Sequence, residues 1–135
     1  MKYILFLAFF ISLIVFLMSA SVFYYYIVPI KKSLFPASVM VTKELGGFDV
    51  NSTALTFGSI TLGGSSTRAV LINNSYPFPV RVKSKVEGPI SELIGSDSLV
   101  IWPNETSRFS FTVSSDPYTL LGNYSGNVSI RLYRL

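Results

Sequence analysis

Residues 3–30 read YILFLAFFISLIVFLMSASVFYYYIVPI, 28 consecutive residues without a charge and almost all apolar. Only Met1 and Lys2 precede the run, and Lys31 and Lys32 close it. About 20 helical residues, rising ~1.5 Å each, cross the ~30 Å hydrocarbon core of a bilayer. The run therefore predicts a helix that spans a membrane, or a leader that is removed. Tyr24, Tyr25 and Tyr26 fall where a membrane–water belt is expected. Pro29 predicts the helix end, because the residue before a proline avoids the α region, and Lys31 and Lys32 can snorkel to headgroups. The leader reading rests on Ser19, Ala20 and Ser21, a small-residue cleavage pattern. Against it stand a basic region with a single Lys and an apolar run that continues nine residues past Ser21. Residues 1–30 are read as a transmembrane signal anchor, 31–38 as a short tether and 39–135 as the folded ectodomain. The small pair Ala8 and Ser12 suits helix association, but one such pair in a run this long is expected by chance.

The 105 residues from Lys31 onward suffice for one modest core. They carry ten Lys and Arg against seven Asp and Glu, a scattered net charge of +3. That balance suits contact with anionic lipid or glycan and is far from a nucleic-acid footprint. The chain has neither Cys nor His. Disulfides, thiolate nucleophiles and zinc–thiolate sites are thereby excluded, and so are the commonest general base and transition-metal ligand. A disulfide-free extracellular domain of this size fits an archaeal or bacterial source better than an animal one.

Flanking charge leaves the orientation of the helix a near tie, with Lys2 and the terminal amine on one side and Lys31 and Lys32 on the other. The asparagines break it. Five of the six, Asn51, Asn73, Asn104, Asn123 and Asn127, begin an N-glycosylation acceptor pattern. With Ser and Thr filling about a quarter of the positions after residue 30, six Asn would give between one and two such patterns by chance. The excess predicts an N-glycosylated C-terminal part outside the cell.

After Lys31, helical periodicity gives way to short alternating runs separated by Gly, Pro, Asn and Ser. Val80, Val82 and Val86 share one strand face, and Arg81, Lys83 and Lys85 the other. Phe109, Phe111 and Val113 point one way, as do Val128, Ile130 and Leu132. Residues 69–72 are apolar on both parities and predict a more deeply buried strand. Further strands are expected at 39–45, 55–57, 60–62 and 99–102. Turns are expected at 63–65, 73–77, 88–89, 95–97, 103–104 and 122–123. About seven short strands with turns every 8–12 residues describe an all-β sandwich. Gly58 predicts a bulge, and Asn73 can cap a strand end through its side chain.

These runs carry a family resemblance. Leu55-Thr-Phe-Gly58-Ser-Ile60 followed by Gly63-Gly64, then Ala69-Val-Leu-Ile-Asn73-Asn74, resembles the opening of ASPM/SPD-2/hydin-type (ASH-like) immunoglobulin-like domains and their prokaryotic relatives. Pro79-Val80-Arg-Val82, Pro103-Asn-Glu-Thr106, Phe109-Ser-Phe111-Thr-Val113 and Gly122-Asn-Tyr124-Ser-Gly126-Asn-Val128-Ser-Ile130 continue it across residues 53–133. The resemblance implies an immunoglobulin-like sandwich used in adhesion, scaffolding or assembly. It implies no shared catalytic site.

The chemistry-bearing residues point the same way. Glu87, Glu92 and Asp97 lie five apart in a loop-like region, a solvated loop rather than a weak calcium site. Gly63-Gly64-Ser65-Ser66 lacks the Lys-Ser/Thr of a phosphate-binding loop and is a hairpin turn. Trp102, beside Pro103, is a core or rim aromatic. The stripe Arg81, Lys83 and Lys85 suits an anionic glycan, acidic partner or lipid headgroup, or an edge strand guarded by charge, the reading preferred here. No enzyme, cofactor or metal site is expected. The expected molecule is a single-pass cell-membrane glycoprotein whose C-terminal domain lies outside. Its expected partners are membrane lipid, a cell-surface protein and its own N-linked glycans. The expected role is that of an accessory subunit of a surface or envelope complex. The alternatives are a pilin-like filament subunit and an archaellum-stator-like envelope contact.

Overall fold

The structure is a computed structural model that describes residues 1–43, 54–96 and 98–135. Helix α1 (Lys2–Ile27) is apolar on every side, and no residue of it is buried against the rest of the chain. It is long and apolar enough to cross a membrane. At about 1.5 Å per residue its 26 residues reach roughly 39 Å. Its hydroxyls are satisfied internally: Ser19 Oγ donates to the carbonyl of Phe16 and Ser21 Oγ to that of Leu17. The helix ends at Val28, which is already extended, one residue before Pro29.

Eight strands follow among the described residues: β1 (Lys31–Thr42), β2 (Leu55–Thr61), β3 (Ser65–Asn73), β4 (Val80–Glu87), β5 (Ile94–Ser96), β6 (Leu99–Ile101), β7 (Thr106–Ser114) and β8 (Gly122–Arg134). They form a five-stranded sheet, β2-β1-β8-β4-β6, packed against a three-stranded sheet, β3-β7-β5. The arrangement is a sandwich preceded by one apolar helix. The β1–β2 pair is parallel and every other pair is antiparallel.

The core lies between the sheets and follows the alternation in the sequence. Val80 and Val82 of β4, Phe109, Phe111 and Val113 of β7, and Val128, Ile130 and Leu132 of β8 are all buried. Val39, Val41, Leu55, Phe57, Ile60 and Ile101 complete the cluster. Burying side chains of this size stabilises by about 1.5–3 kcal/mol each. Gly58 takes a positive φ of 71°. At that point the β1–β2 register slips between Ser38 and Met40, the bulge expected there. After β4 the chain crosses from one sheet to the other through Gly88 (φ 96°) and a short 3-10 turn, Pro89–Glu92, that buries Ile90. A Cβ at Gly126 on β8 would collide with the carbonyl oxygen of Glu87 and with Ile90 Cγ2. Only glycine allows this crossing.

Four expectations are corrected. Residues 31–38 are not a tether but most of β1, paired with β8 from Lys31 onward; the sandwich begins three residues after the helix cap. Residues 69–72 are not deeply buried: among the described residues β3 is an edge strand, Ala69 faces out, and Leu71 is 67% exposed, with only Val70 and Ile72 turned inward. Residues 94–96 form β5 where a turn was expected at 95–97. Gly122 and Asn123 already belong to β8 rather than to a turn.

Candidate functional site

The sandwich has two dissimilar ends. The helix-proximal end gathers the start of β1, the end of β8, the start of β4 and the β3–β4 loop. The helix-distal end carries the β2–β3 and β7–β8 connections.

At the proximal end the helix is joined to the sandwich through side chains as well as backbone. The Ile30 amide donates to the Leu132 carbonyl at 2.8 Å. The Arg134 guanidinium lies 4.1 Å from the centroid of the Tyr25 ring and 4.8 Å from that of Phe78. Phe78 in turn stacks on Tyr76, with centroids 5.3 Å apart. A cation held between two aromatic faces is worth about 1–2 kcal/mol. The stack fixes Tyr25 of the helix to the β3–β4 loop.

That loop is organised by Asn74, which is fully buried. Its Nδ2 donates to the carbonyls of Phe78 and Ile101, and its Oδ1 accepts from the Tyr76 amide. Its backbone amide donates to the Glu105 carbonyl, and its carbonyl accepts from Asn104. The capping role expected of Asn73 thus belongs to its neighbour. The signal was present in the sequence, because an Asx turn joins residues two apart, but the paired asparagines left open which one turned inward.

The basic stripe divides. Arg81 and Lys83 line a groove of about 300 Å³ with Tyr26, Ile27, Tyr133 and Arg134. Lys85 instead pairs with Glu87 at 2.7 Å, the one ion pair among the described residues. That Lys85 hydrogen bond and charge, aided by the charges of Lys32 and Arg131, hold the Glu87 carboxyl below its usual value of 4.5. Nor is the stripe simply an edge. β4 pairs β8 along its whole length and β6 over Val80–Val82, so its free edge runs only from Lys83. Lys32, Arg131 and Lys83 stand opposite one another across β1, β8 and β4. Like charges in directly opposed positions destabilise a sheet. The buried Nε atoms of Arg131 and Arg134 have no hydrogen-bond partner among the described residues.

At the distal end the β7–β8 loop presents Tyr118, 92% exposed, and Leu120, 79% exposed. The loop is nonetheless braced. Asp116 Oδ1 accepts from the Tyr118 amide and from Thr119 Oγ1, and Thr119 Oγ1 accepts from the Asp116 amide. The Tyr124 hydroxyl donates to the Leu120 carbonyl at 2.8 Å. Sequence reasoning passed over this loop, since exposure of its apolar residues is invisible before the strands are placed.

Asn73, Asn104, Asn123 and Asn127 are exposed, with Asn104 at a positive φ of 63°. Asn51 and Asp97 lie outside the described residues. Trp102 is 58% exposed and therefore a rim aromatic. Tyr24 is exposed, Tyr25 meets Arg134 and Tyr26 lines the groove. Glu87 and Glu92 belong to no metal-ligating cluster among the described residues. No family model, curated protein or solved structure matches this chain.

Proposed function

We propose that this chain is a single-pass membrane glycoprotein whose sandwich faces outward and acts as a structural and interaction module, an accessory subunit of a cell-surface or envelope complex. The observation that carries the reading is the braced β7–β8 loop. Tyr118 and Leu120 stand almost fully exposed at the end of the sandwich away from an apolar helix. Exposed apolar side chains on a fixed loop mark a docking surface. Fixing the loop beforehand reduces the entropy lost on binding, and tyrosine is among the residues that dominate interface energies. The five sequons support the outward orientation, and the ASH-like resemblance supports an assembly role over catalysis.

The test is mass spectrometry of the native protein, with a photo-crosslinker placed at Tyr118. The expected result is an intact apolar segment, glycan on one or more of the acceptor asparagines, and a defined protein partner cross-linked through residue 118. Cleavage after Ser21, or a cross-link pattern unchanged in Leu120→Ala, would sink the reading.

A second reading, a filament or assembly subunit, is favoured by one observation. Among the described residues, strand β1 has no partner on its β2 side before Ala37, and β3 has none beyond β7. Between them lies an open groove of about 210 Å³ lined by Phe35, Val70, Ile72, Ile130 and Leu132. A strand donated by a neighbouring copy fits such a gap. Copies cross-linked through Leu71→Cys would favour this reading.

A further inference from the structure

We infer that the groove between the end of α1 and the outer face of the five-stranded sheet binds the phosphate of an anionic phospholipid headgroup. This rests on the reading of α1 as a membrane anchor.

The groove carries Arg81, Lys83 and Arg134 together with Tyr26, Tyr133 and Ile27. None of the three cations has a carboxylate within ion-pair distance among the described residues, the one such pair being Lys85 with Glu87. Across the sheet, Lys83 faces Arg131, which faces Lys32. A row of facing cations costs the fold stability, and an anion beside Lys83 would relieve it. Arg134 is held in place by Tyr25 and Phe78. A guanidinium fixed in this way presents a planar fork that matches phosphate geometry.

Position selects lipid over free phosphate. Tyr26 and Ile27 belong to the last turn of an apolar helix, so the groove opens where that helix would leave the hydrocarbon. Aromatic rings with polar tips and snorkelling cations occupy that level. The acyl chains of a lipid bound here would run down along α1, whose residues bury nothing against the protein.

The test uses the full chain, delipidated in detergent and titrated with phosphatidylglycerol or phosphatidylcholine, with bound lipid read by native mass spectrometry. Wild type is expected to retain phosphatidylglycerol in preference to phosphatidylcholine. Each cation near an anionic surface contributes about fivefold in affinity, so R81Q/K83Q should lower phosphatidylglycerol retention more than tenfold. Its unfolding temperature should not fall, both side chains being exposed and Lys83 facing Arg131 across the sheet. R134Q should weaken retention and R134K should restore only part of it, because lysine keeps the charge but lacks the planar fork. Equal retention of the two lipids, or a preference untouched by R81Q/K83Q, overturns the site. Competition by millimolar inorganic phosphate at full strength assigns the groove to a soluble anion and overturns the lipid. Release of the chain from native membranes by alkaline carbonate overturns the anchor itself, an outcome distinct from an anchored chain without lipid preference.

Discussion

The two ends of the sandwich solve opposite problems with the same strands. At the helix-proximal end, cations and rings are gathered by long-range pairing. Arg134 and Arg81 come from strands β8 and β4, Phe78 from the loop before β4, and Tyr25 from the helix. At the distal end, Tyr118 and Leu120 are presented by a loop that holds itself through contacts within a few residues of Asp116. One surface depends on the whole fold being in register. The other needs only a turn. The ends should therefore respond independently to local damage and together to damage between them.

The largest expected effect comes from the shared middle. Gly126 lets the chain cross from β4 towards β5, and a methyl group there meets the Glu87 backbone as well as the Ile90 side chain, so moving a side chain cannot relieve the clash. Gly126→Ala should destabilise by about 3 kcal/mol, lowering the unfolding temperature by roughly 15 °C for a domain of this size. It should impair both ends alike. Thermal unfolding of the full chain in detergent measures it, and a change confined to one end would break the picture of a common frame.

Next in size is Asn74→Ala. It leaves the carbonyls of Phe78 and Ile101 and the amide of Tyr76 without their side-chain partner. Unpaired buried groups cost about 1–3 kcal/mol. A loss of about 2 kcal/mol is expected, with amide exchange rising in the β3–β4 loop and at the start of β7 and remaining unchanged in the β7–β8 loop. Asp116→Ala should do the reverse at smaller scale. Loss of its two acceptor contacts is expected to cost about 1 kcal/mol locally, visible as faster amide exchange at Tyr118 and Thr119, with the Tyr25–Arg134–Phe78 stack intact.

The sequence showed the two ends unequally. Helix α1 and its stop at Pro29 were legible because length and the absence of charge are local properties. The inward residues of β4, β7 and β8 were legible because alternation survives in any sheet that has one wet face. Residues 69–72 misled for a related reason. An edge strand in a three-stranded sheet leaves Leu71 and Ala69 facing outward, and apolar composition alone does not distinguish that from burial on both faces. The first residues of β1 were hidden because Lys31, Lys32 and Pro36 look like a tether, while their pairing with β8 is a contact about 100 residues away along the chain. The stripe on β4 was visible, but its division was not. That Arg81 and Lys83 meet Arg134 whereas Lys85 meets Glu87 depends on β8 and on the helix end.

That division gives the smallest prediction and the finest test of the comparison. Glu87 neutralises the distal end of the basic face, leaving the charge unbalanced only beside the helix. Its carboxyl is held below 4.5 by the Lys85 hydrogen bond and charge, then by Lys32 and Arg131. A carboxyl with a lowered folded-state value binds its proton less readily when folded than when unfolded. Its contribution to stability is therefore fully present above 4.5 and disappears as pH falls through the folded value. The pair is exposed, so the effect is small and screened by salt. Wild type should unfold at a slightly higher temperature than Glu87→Gln at pH 7, and the gap should close as pH falls below 4.5 and through the lowered folded-state value. At neutral pH, Glu87→Gln should also free Lys85 and strengthen adsorption to phosphatidylglycerol vesicles, whereas R81Q/K83Q weakens it. If adsorption does not change, Lys85 lies too far from the bilayer to take part, and the lipid-facing charge is confined to the groove at the helix end.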